Sequence, residues 1–138
     1  MFILGFLYAS IIEWVVHKFL FHDMGKKRGS RFAFHIREHH AECCKNNNLD
    51  RGFSKREIPG IAFLLLTHLP LYYIIPMFYY ALSLYGVLFI VMHNITHFWP
   101  EFGKKYIPWH WDHHMRYQNH NYNVVLPIAD YLFGTRKY

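Results

Sequence analysis

A long uncharged segment is the feature that most limits how this chain can fold. No lysine, arginine, aspartate or glutamate occurs from Ile58 to Pro100, and none occurs among residues 1–12. Only 17% of the chain is charged, against roughly 25% in typical soluble domains. The pattern predicts an integral membrane protein, and the length of 138 residues predicts a single domain over residues 1–138.

Two apolar stretches are long enough to enter a bilayer. Phe2–Phe21 contains 20 residues and would be about 30 Å long as a helix, which matches the hydrocarbon core. We expect a membrane helix that ends near Gly25 rather than a signal peptide, since no basic segment precedes it. Ile61–Met92 contains 32 residues, too many for one simple span. Pro70 and Pro76 predict a hairpin of two short or tilted helices that turns near these prolines.

The positive charges lie beside these stretches. All 15 lysines and arginines occur at Lys18, within Lys26–Arg56, or from Lys104 onward. Basic residues that flank membrane spans mark the cytosolic side, so the net charge of +6 indicates membrane topology rather than nucleic-acid binding. We expect the polar segments to face the cytosol, in a bacterial inner membrane or an endoplasmic reticulum membrane.

Ten of the 12 histidines fall into four groups, each at the polar end of an apolar stretch. The groups are His17 and His22; His35, His39 and His40; His93 and His97; and His110, His113 and His114. Neutral imidazole is the commonest protein ligand for transition metals, and this number of rings exceeds the need of one ion. The groups predict two neighbouring metal ions at a membrane surface. Nitrogen ligands suit iron, zinc or copper, so ligand type alone does not identify the metal.

The spacing within the histidine groups fits an α-helix in most cases, because residues four apart lie on one helical face. His22 and His40 are the exceptions, since they follow His17 and His35 by five residues. On an ideal helix this spacing turns the second side chain away by roughly 140°. These two rings can reach a common centre only if their helices end or distort. Gly25 supplies a local reason for His22, whereas the sequence supplies none for His40.

Other polar positions predict structural roles. Arg31–Lys45 is expected to be helical and to end at Asn46–Asn48. His68 lies inside the apolar stretch and is predicted to be a hydrogen-bonded structural residue. The two cysteines, Cys43 and Cys44, are adjacent and predicted to be cytosolic, which argues against a disulfide framework and leaves a thiolate metal ligand as the alternative.

Three segments resemble motifs of the fatty acid hydroxylase/sterol desaturase superfamily, and of its fatty acid 2-hydroxylases in particular. Glu13–His22 is similar to the Glu-aromatic-x-x-His-basic-x-Leu-Phe-His motif, and His110–His114 is similar to the HxxHH motif. Asn121–Thr135 resembles the closing Pro-x-x-Asp-x-x-Phe-Gly-Thr segment. The resemblance implies an all-α membrane-embedded helical bundle, capped by a histidine-ligated site for two metal ions on the cytosolic face.

The resemblance also implies which residues are metal ligands. Matched position by position, it gives His17, His22, His35, His39, His40, His110, His113 and His114. His97 matches the remaining motif of the 2-hydroxylases, whose second histidine falls on Glu101 in this chain. We predict that His93, one helical turn before His97, takes that place, with the Glu101 carboxylate as the alternative. The second group also has one residue more between its histidines than the 2-hydroxylases have.

Further residues are candidates for supporting roles around these ligands. Glu13, one turn before His17, is predicted to accept a hydrogen bond from a ligand ring and so fix its tautomer, with an unrelated buried carboxylate as the alternative. Asp112 and Asp130 are candidates for the same role, weighed equally against solvated or helix-capping roles. His120 is a candidate for a further ligand or a substrate contact.

The activity that the resemblance implies is O₂-dependent hydroxylation of a lipid alkyl chain, with a fatty acyl group as the expected substrate. It implies a di-iron oxidoreductase, with zinc as the alternative metal. The chemistry needs two electrons, and the chain has no Gly-x-Gly-x-x-Gly fingerprint, so we predict an external electron-donor protein that docks on the basic face. The alternatives are a desaturase or a sterol or carotenoid hydroxylase of the same superfamily, or a histidine-rich membrane protein that binds or transports metal.

Overall fold

The computed structural model describes residues 1–52 and 55–138, and no β-strand occurs in these two ranges. The predicted all-α class is therefore confirmed for the described part of the chain. Two segments are π-helices, which we label π1 and π2. In chain order the elements are α1 (Phe2–Val15), π1 (Val16–Met24), π2 (His35–His40), α2 (Ala41–Lys45), α3 (Ile58–Thr67), α4 (Pro70–Ile74), α5 (Pro76–Phe98), α6 (Pro100–Tyr106), α7 (Pro108–Met115) and α8 (Ile128–Leu132).

Two helices are long and apolar enough to cross a membrane by length and composition. They are the continuous helix formed by α1 and π1, Phe2–Met24, and helix α5, and each contains 23 residues. Large apolar side chains point outward along both helices and are more than half exposed, including Ile3, Leu4, Met77 and Val87. Exposure of so much apolar surface is unfavourable in water and favourable in lipid, so these two helices are candidate membrane spans.

The two candidate spans pack side by side and run in the same direction. Gly5 of α1 lies against Phe78 and Ala81 near the start of α5, whereas Glu13 contacts Tyr85 further along. A Cβ atom at Gly5 would lie 2.6 Å from the Phe78 carbonyl oxygen, so the glycine permits the close approach of the two backbones. Because the helices are parallel, their histidine-bearing ends meet on one side of the bundle.

The chain between the two spans turns at the two prolines, as the sequence predicted. Pro70 and Pro76 each occupy the first turn of a helix, where the missing N–H of proline breaks no hydrogen bond. Only the first arm of the hairpin is short, since α3 contains 10 residues and α5 contains 23. His68, at the turn, donates from Nδ1 to the Leu64 carbonyl and accepts at Nε2 from the Tyr8 hydroxyl, both at 2.8 Å. The predicted hydrogen-bonded role of His68 is confirmed.

The helical distortion that His22 and His40 require is present in both places. A π-helix closes hydrogen bonds five residues apart, so residues at this spacing come to lie above one another. The two π-helices therefore stack His22 near His17 and His40 near His35. Gly25 ends π1 as predicted, but its backbone is right-handed, with φ −62°. A Cβ there would overlap the Phe21 carbonyl oxygen, so close approach rather than a left-handed turn requires the glycine.

The remaining helices cover the histidine-bearing end of the bundle. The predicted helix over Arg31–Lys45 is observed as π2 and α2, and it ends where expected, with Asn47 and Asn48 in left-handed conformations at φ 52° and 68°. The C-terminal segment folds back on α1, where the Trp14 indole donates to the Thr135 hydroxyl at 2.8 Å. Because the C-terminal segment folds back, the residues that follow α7 lie beside the histidines of π1.

Candidate metal centre

The ten grouped histidines converge at one end of the bundle. Nine of these residues are no more than 4% exposed, and the side chain of His39 is 11% exposed. Ring atoms that lie within 4.8 Å of one another define two groups. The five-histidine group consists of His17, His22, His35, His40 and His113. The four-histidine group consists of His39, His93, His97 and His114.

His110 lies at the edge of the four-histidine group, where its Nε2 is 3.1 Å from Nε2 of His97. The two groups adjoin each other, since the rings of His40 and His114 have their centroids 4.2 Å apart. Each group draws on three separate elements, π1, π2 and α7 for the first and π2, α5 and α7 for the second. The fold therefore brings together all ten histidines that the sequence singled out.

Hydrogen bonding within the protein leaves many of these rings unsatisfied. Across residues 1–52 and 55–138, the buried ring nitrogens without a hydrogen-bond partner are His22 Nδ1, His35 Nδ1, His39 Nε2, His40 Nδ1, His110 Nδ1, and both nitrogens of His114. A buried polar atom left unpaired costs about 1–3 kcal/mol. A cluster with this many unpaired nitrogens is therefore unfavourable unless other partners bind to the rings.

The distances between facing nitrogens fit metal coordination. Two imidazole nitrogens at right angles on one ion, with bonds of about 2.1 Å, would lie about 3.0 Å apart. In the five-histidine group, His17 Nε2 lies 2.9 Å from His35 Nε2, and His22 Nε2 lies 3.1 Å from His113 Nε2. The donor set, all nitrogen and tightly grouped, fits a transition-metal ion in each group.

Burial keeps the rings in the protonation state that metals require. Desolvation, followed by repulsion from neighbouring rings, holds the pKa of His35, His40 and His110 well below the ordinary value for histidine. The pKa values of His113 and His114 are lowered well below it for the same main reason. Neutral imidazole is the form that binds metal ions, so the cluster is ready to coordinate at neutral pH.

The segment that follows α7 orients two rings of the five-histidine group through backbone carbonyls. Nδ1 of His17 donates to the Tyr122 carbonyl, and Nδ1 of His113 donates to the His120 carbonyl at 2.6 Å. Each ring therefore carries its proton on Nδ1 and turns an unprotonated Nε2 toward the group. Such outer hydrogen bonds fix the tautomer and direction of metal-binding histidines.

Asp130 holds this carbonyl-bearing segment in place from within the fold. Its carboxylate is fully buried and accepts hydrogen bonds from the backbone N–H groups of Tyr122 at 2.9 Å and Asn123 at 2.8 Å. The Thr135 hydroxyl donates to the same carboxylate at 2.7 Å. Burial raises the pKa of Asp130, and these hydrogen bonds act in the opposite direction. Asp130 therefore supports His17 indirectly, through the backbone.

Glu13 acts on the same segment, which corrects its predicted role. No hydrogen bond joins its carboxylate to a histidine ring in the described residues; it accepts instead from the Val124 N–H at 2.6 Å and the Asn123 amide at 2.9 Å. The Tyr85 hydroxyl donates to it at 2.5 Å. The physical reason is that the buried backbone N–H of Val124 needs an acceptor, while the Tyr122 carbonyl already satisfies the ring of His17.

The loop between α2 and α3 orients the four-histidine group, and sequence reasoning did not single it out. Nδ1 of His97 donates to the Asn48 carbonyl at 3.1 Å, and Nδ1 of His39 donates to the Asp50 carboxylate at 2.8 Å. The hydrogen bond from His39 is the main reason that the pKa of Asp50 is lowered. Beside this loop, a cavity of about 480 Å³ reaches His39 and His93.

The sequence as a whole matches a known family. The model of the fatty acid hydroxylase family matches residues 2–135. The chain belongs to the fatty acid hydroxylase family. Membership confirms the resemblance found in the three sequence motifs. No solved structure matches the chain.

Two relatives show how similar the chain is to known fatty acyl hydroxylases. The chain is 27% identical over 143 residues to a dihydroceramide fatty acyl 2-hydroxylase of Arabidopsis thaliana, covering 95% of this chain and 58% of the relative. It is 26% identical over 155 residues to the fatty acid 2-hydroxylase of Mus musculus, covering 98% of this chain and 39% of the relative. The chain thus spans about two to three fifths of the length of these relatives.

Three other candidates from the sequence lie outside the two histidine groups: Glu101, Asp112 and His120. Glu101 is exposed on α6, whereas His93 lies in the four-histidine group. Asp112 pairs with Arg116, which directly follows α7, with nitrogen and oxygen 3.2 Å apart. The ring of His120 is half-buried and outside both groups, although its carbonyl orients His113.

Both cysteines are free thiols, and the sequence analysis had argued against a disulfide framework. Cys43 is buried, with its sulfur 3.4 Å from Nδ1 of His97, and it forms a third small group with His39 and Asp50. Burial raises the pKa of the Cys43 thiol, which keeps it protonated. Cys44 is exposed.

Proposed function

We propose that this chain is an O₂-dependent membrane hydroxylase that holds two metal ions and oxidises a lipid alkyl chain. The observation that carries the proposal is the convergence of ten histidines, nine of them in two adjoining groups with His110 beside them, whose facing Nε2 atoms lie 2.9–3.1 Å apart. Family membership supports hydroxylation as the reaction. The names of the two relatives specify fatty acyl 2-hydroxylation for those proteins, and we extend a fatty acyl substrate to this chain.

The five-histidine group would hold one ion, and the four-histidine group, with His110 beside it, would hold the other. We propose iron at both positions, as the family resemblance implies, because the reaction needs a redox-active metal and zinc has no redox chemistry. Bound iron would supply the reduction of O₂. One oxygen atom would enter a C–H bond, and the other would leave as water. A donor protein would provide the two electrons, and solvent would provide the two protons. Zinc would bind the same nitrogens without supporting this reaction.

The residues of the chain have three tasks in this reaction. The histidines hold the ions, and the carbonyls of His120 and Tyr122 keep two of the rings in the coordinating tautomer. The nearly complete burial of the rings excludes water from the oxidising centre. The exposed apolar side chains of the spans let an acyl chain approach from the lipid phase without crossing water, which places its C–H bond near the ions.

We propose that the histidine-bearing end faces the cytosol. Lys26, Lys27 and Arg28 directly follow the first candidate span, and Lys104 and Lys105 follow the second. Since the spans are parallel, these residues lie at the end of the bundle that carries the histidines, and basic flanks mark the cytosolic side. The same positive charge suits an acidic electron-donor protein.

The test is lipid mass spectrometry of cells that express the wild type, His113→Ala or His68→Phe. His68→Phe is the matched control, because it removes a histidine that lies outside both groups. We expect acyl chains that have gained one oxygen atom with the wild type and with His68→Phe, and none with His113→Ala. Acyl chains that have lost two hydrogens instead would identify a desaturase. An unchanged lipid profile with altered cellular metal content would refute the hydroxylase and favour metal transport.

A further inference from the structure

Each histidine group has its own orienting loop. The segment after α7 contacts Nδ1 of His17 and His113, both in the five-histidine group. The loop between α2 and α3 contacts Nδ1 of His39 and His97, both in the four-histidine group. The two loops therefore act on different groups, and a change in one loop should affect one group.

One of these four acceptors differs from the others in charge. His17, His97 and His113 donate to neutral backbone carbonyls, whereas His39 donates to the carboxylate of Asp50. A carboxylate acceptor makes an imidazole a stronger electron donor than a carbonyl acceptor does, and it favours the tautomer with the proton on the bonded nitrogen. The ring of His39 is thereby distinguished electronically from the three rings that donate to carbonyls.

Asp50 is itself held firmly enough to direct the ring. Its second carboxylate oxygen accepts from the Gly52 N–H at 2.7 Å, and its own N–H donates to the His97 carbonyl at 3.3 Å. Both side chains of the pair are largely buried, with 11% of His39 and 16% of Asp50 exposed. With Nδ1 engaged, the nitrogen that remains on His39 is Nε2, which is buried and has no partner among the described residues.

We propose that Asp50 is a positioning residue for a metal ion in the four-histidine group. It turns Nε2 of His39 into the group, links that ring to His97 through its backbone, and adds negative charge behind one ligand. The proposal rests on the proposed function, since it takes this group to be a metal site. Because the contacts of Asp50 to histidines reach only His39 and His97, its effect is confined to one of the two ions.

The experiment compares Asp50→Ala and Asp50→Asn with the control Glu38→Gln. Glu38 lines the same cavity as Asp50, but its exposed carboxylate pairs with Arg56 at 2.8 Å rather than with a histidine. Each protein is loaded with Fe²⁺ or Zn²⁺ and dialysed against a graded series of chelator concentrations, and the metal bound per chain is measured by elemental mass spectrometry. Thermal unfolding of the metal-free proteins reports on the fold separately.

We expect two ions per chain in the wild type and in Glu38→Gln. Asp50→Ala should release one of the two ions at chelator concentrations about 10–100-fold lower, the usual cost of losing an outer partner of a ligand. Asp50→Asn should show a smaller shift, because its amide oxygen still accepts from Nδ1 but carries no charge. The absorption bands of Co²⁺ bound in the weakened group should shift in Asp50→Asn even at full occupancy.

The results that overturn the proposal differ from those that overturn the proposed function. Equal weakening of both ions, together with a lower unfolding temperature of the metal-free protein, would show that Asp50 serves the fold as a whole. Wild-type affinity for both ions in Asp50→Ala would show that the carboxylate has no role at the metal. A wild-type protein that binds fewer than two ions would refute the proposed function, and one that binds no ion in the four-histidine group would refute this proposal as well.

Discussion

Replacing Asp130 by alanine should weaken the fold and loosen the five-histidine group at once. The carboxylate is fully buried and accepts from the N–H groups of Tyr122 and Asn123 and from the Thr135 hydroxyl, at 2.7–2.9 Å. A buried donor without its partner costs about 1–3 kcal/mol, so three lost contacts should lower the free energy of unfolding by at least about 3 kcal/mol. This corresponds to a change of more than about 100-fold in the folding equilibrium.

The metal should respond because Asp130 holds the segment that orients His17. When Tyr122 is no longer held, its carbonyl loses its fixed position against Nδ1 of the ring, and the five-histidine group should bind its ion more weakly. The assay is chemical denaturation of the metal-free protein in detergent, followed by metal counts per chain in the presence of chelator. Asp130→Asn should fall between wild type and Asp130→Ala, because the amide keeps one acceptor oxygen.

The control for this prediction is Asp23→Asn. Asp23 forms a solvent-exposed pair with Lys18, with nitrogen and oxygen 3.2 Å apart and about a quarter to a half of each side chain accessible. An exposed pair contributes about 0–1 kcal/mol, so this variant should stay close to wild type. If Asp130→Ala lowered the free energy of unfolding by no more than Asp23→Asn does, the hydrogen-bonding argument for the C-terminal segment would be refuted.

Three other predictions concern pH, helix packing and the turn between the spans. The metal-free protein should lose stability as the pH falls below 6.5, the ordinary pKa of histidine. The pKa values of His35 and His110 are lowered in the folded state, so the unfolded chain binds protons at a higher pH than the folded chain does. Unfolding midpoints on either side of this pH measure the effect. Gly5→Val should lower the free energy of unfolding by about 1–3 kcal/mol in chemical denaturation, since its Cβ would lie 2.6 Å from the Phe78 carbonyl oxygen. His68→Phe should cost about 1 kcal/mol through the lost bond to Tyr8 and leave the metal count unchanged.

Each of these three has a result that contradicts it. A midpoint that rises on acidification would show that the buried rings are already protonated in the folded state. Gly5→Val with wild-type stability would mean that α1 and α5 are not in close contact at this position. Loss of a metal ion in His68→Phe would place this histidine in the metal pathway, in conflict with its hydrogen bonds to Tyr8 and Leu64.

Local features of the sequence were sufficient to predict much of the fold. The absence of charge among residues 1–12 and from Ile58 to Pro100 indicated the two candidate membrane spans, and Pro70 and Pro76 marked the turn. Asn46–Asn48 marked the end of the helix after π2, because asparagine tolerates a left-handed backbone. These predictions depend on short stretches of chain whose chemistry acts on their own backbone, which is why they hold without knowledge of distant contacts.

The arrangement around the histidines could be predicted only in part. The sequence indicated that His40 needs a distorted helix, but it contained no local cause, and the structure supplies a π-helix there. Glu13 was expected to contact a ring and instead accepts from Val124, which is 111 residues further along the chain. Asp50 has no motif around it, so its contact with His39 is visible only in the folded chain.

The sequence by itself determined that the chain is helical, that apolar stretches alternate with basic ones, and that ten histidines stand at the polar ends, since these properties belong to composition and local order. Only the tertiary structure decided how the rings divide into groups of five and four, since the neighbours His39 and His40, like His113 and His114, enter different groups. The physical reason is that adjacent helical residues point in directions about 100° apart, so the packing of distant elements determines which ring meets which.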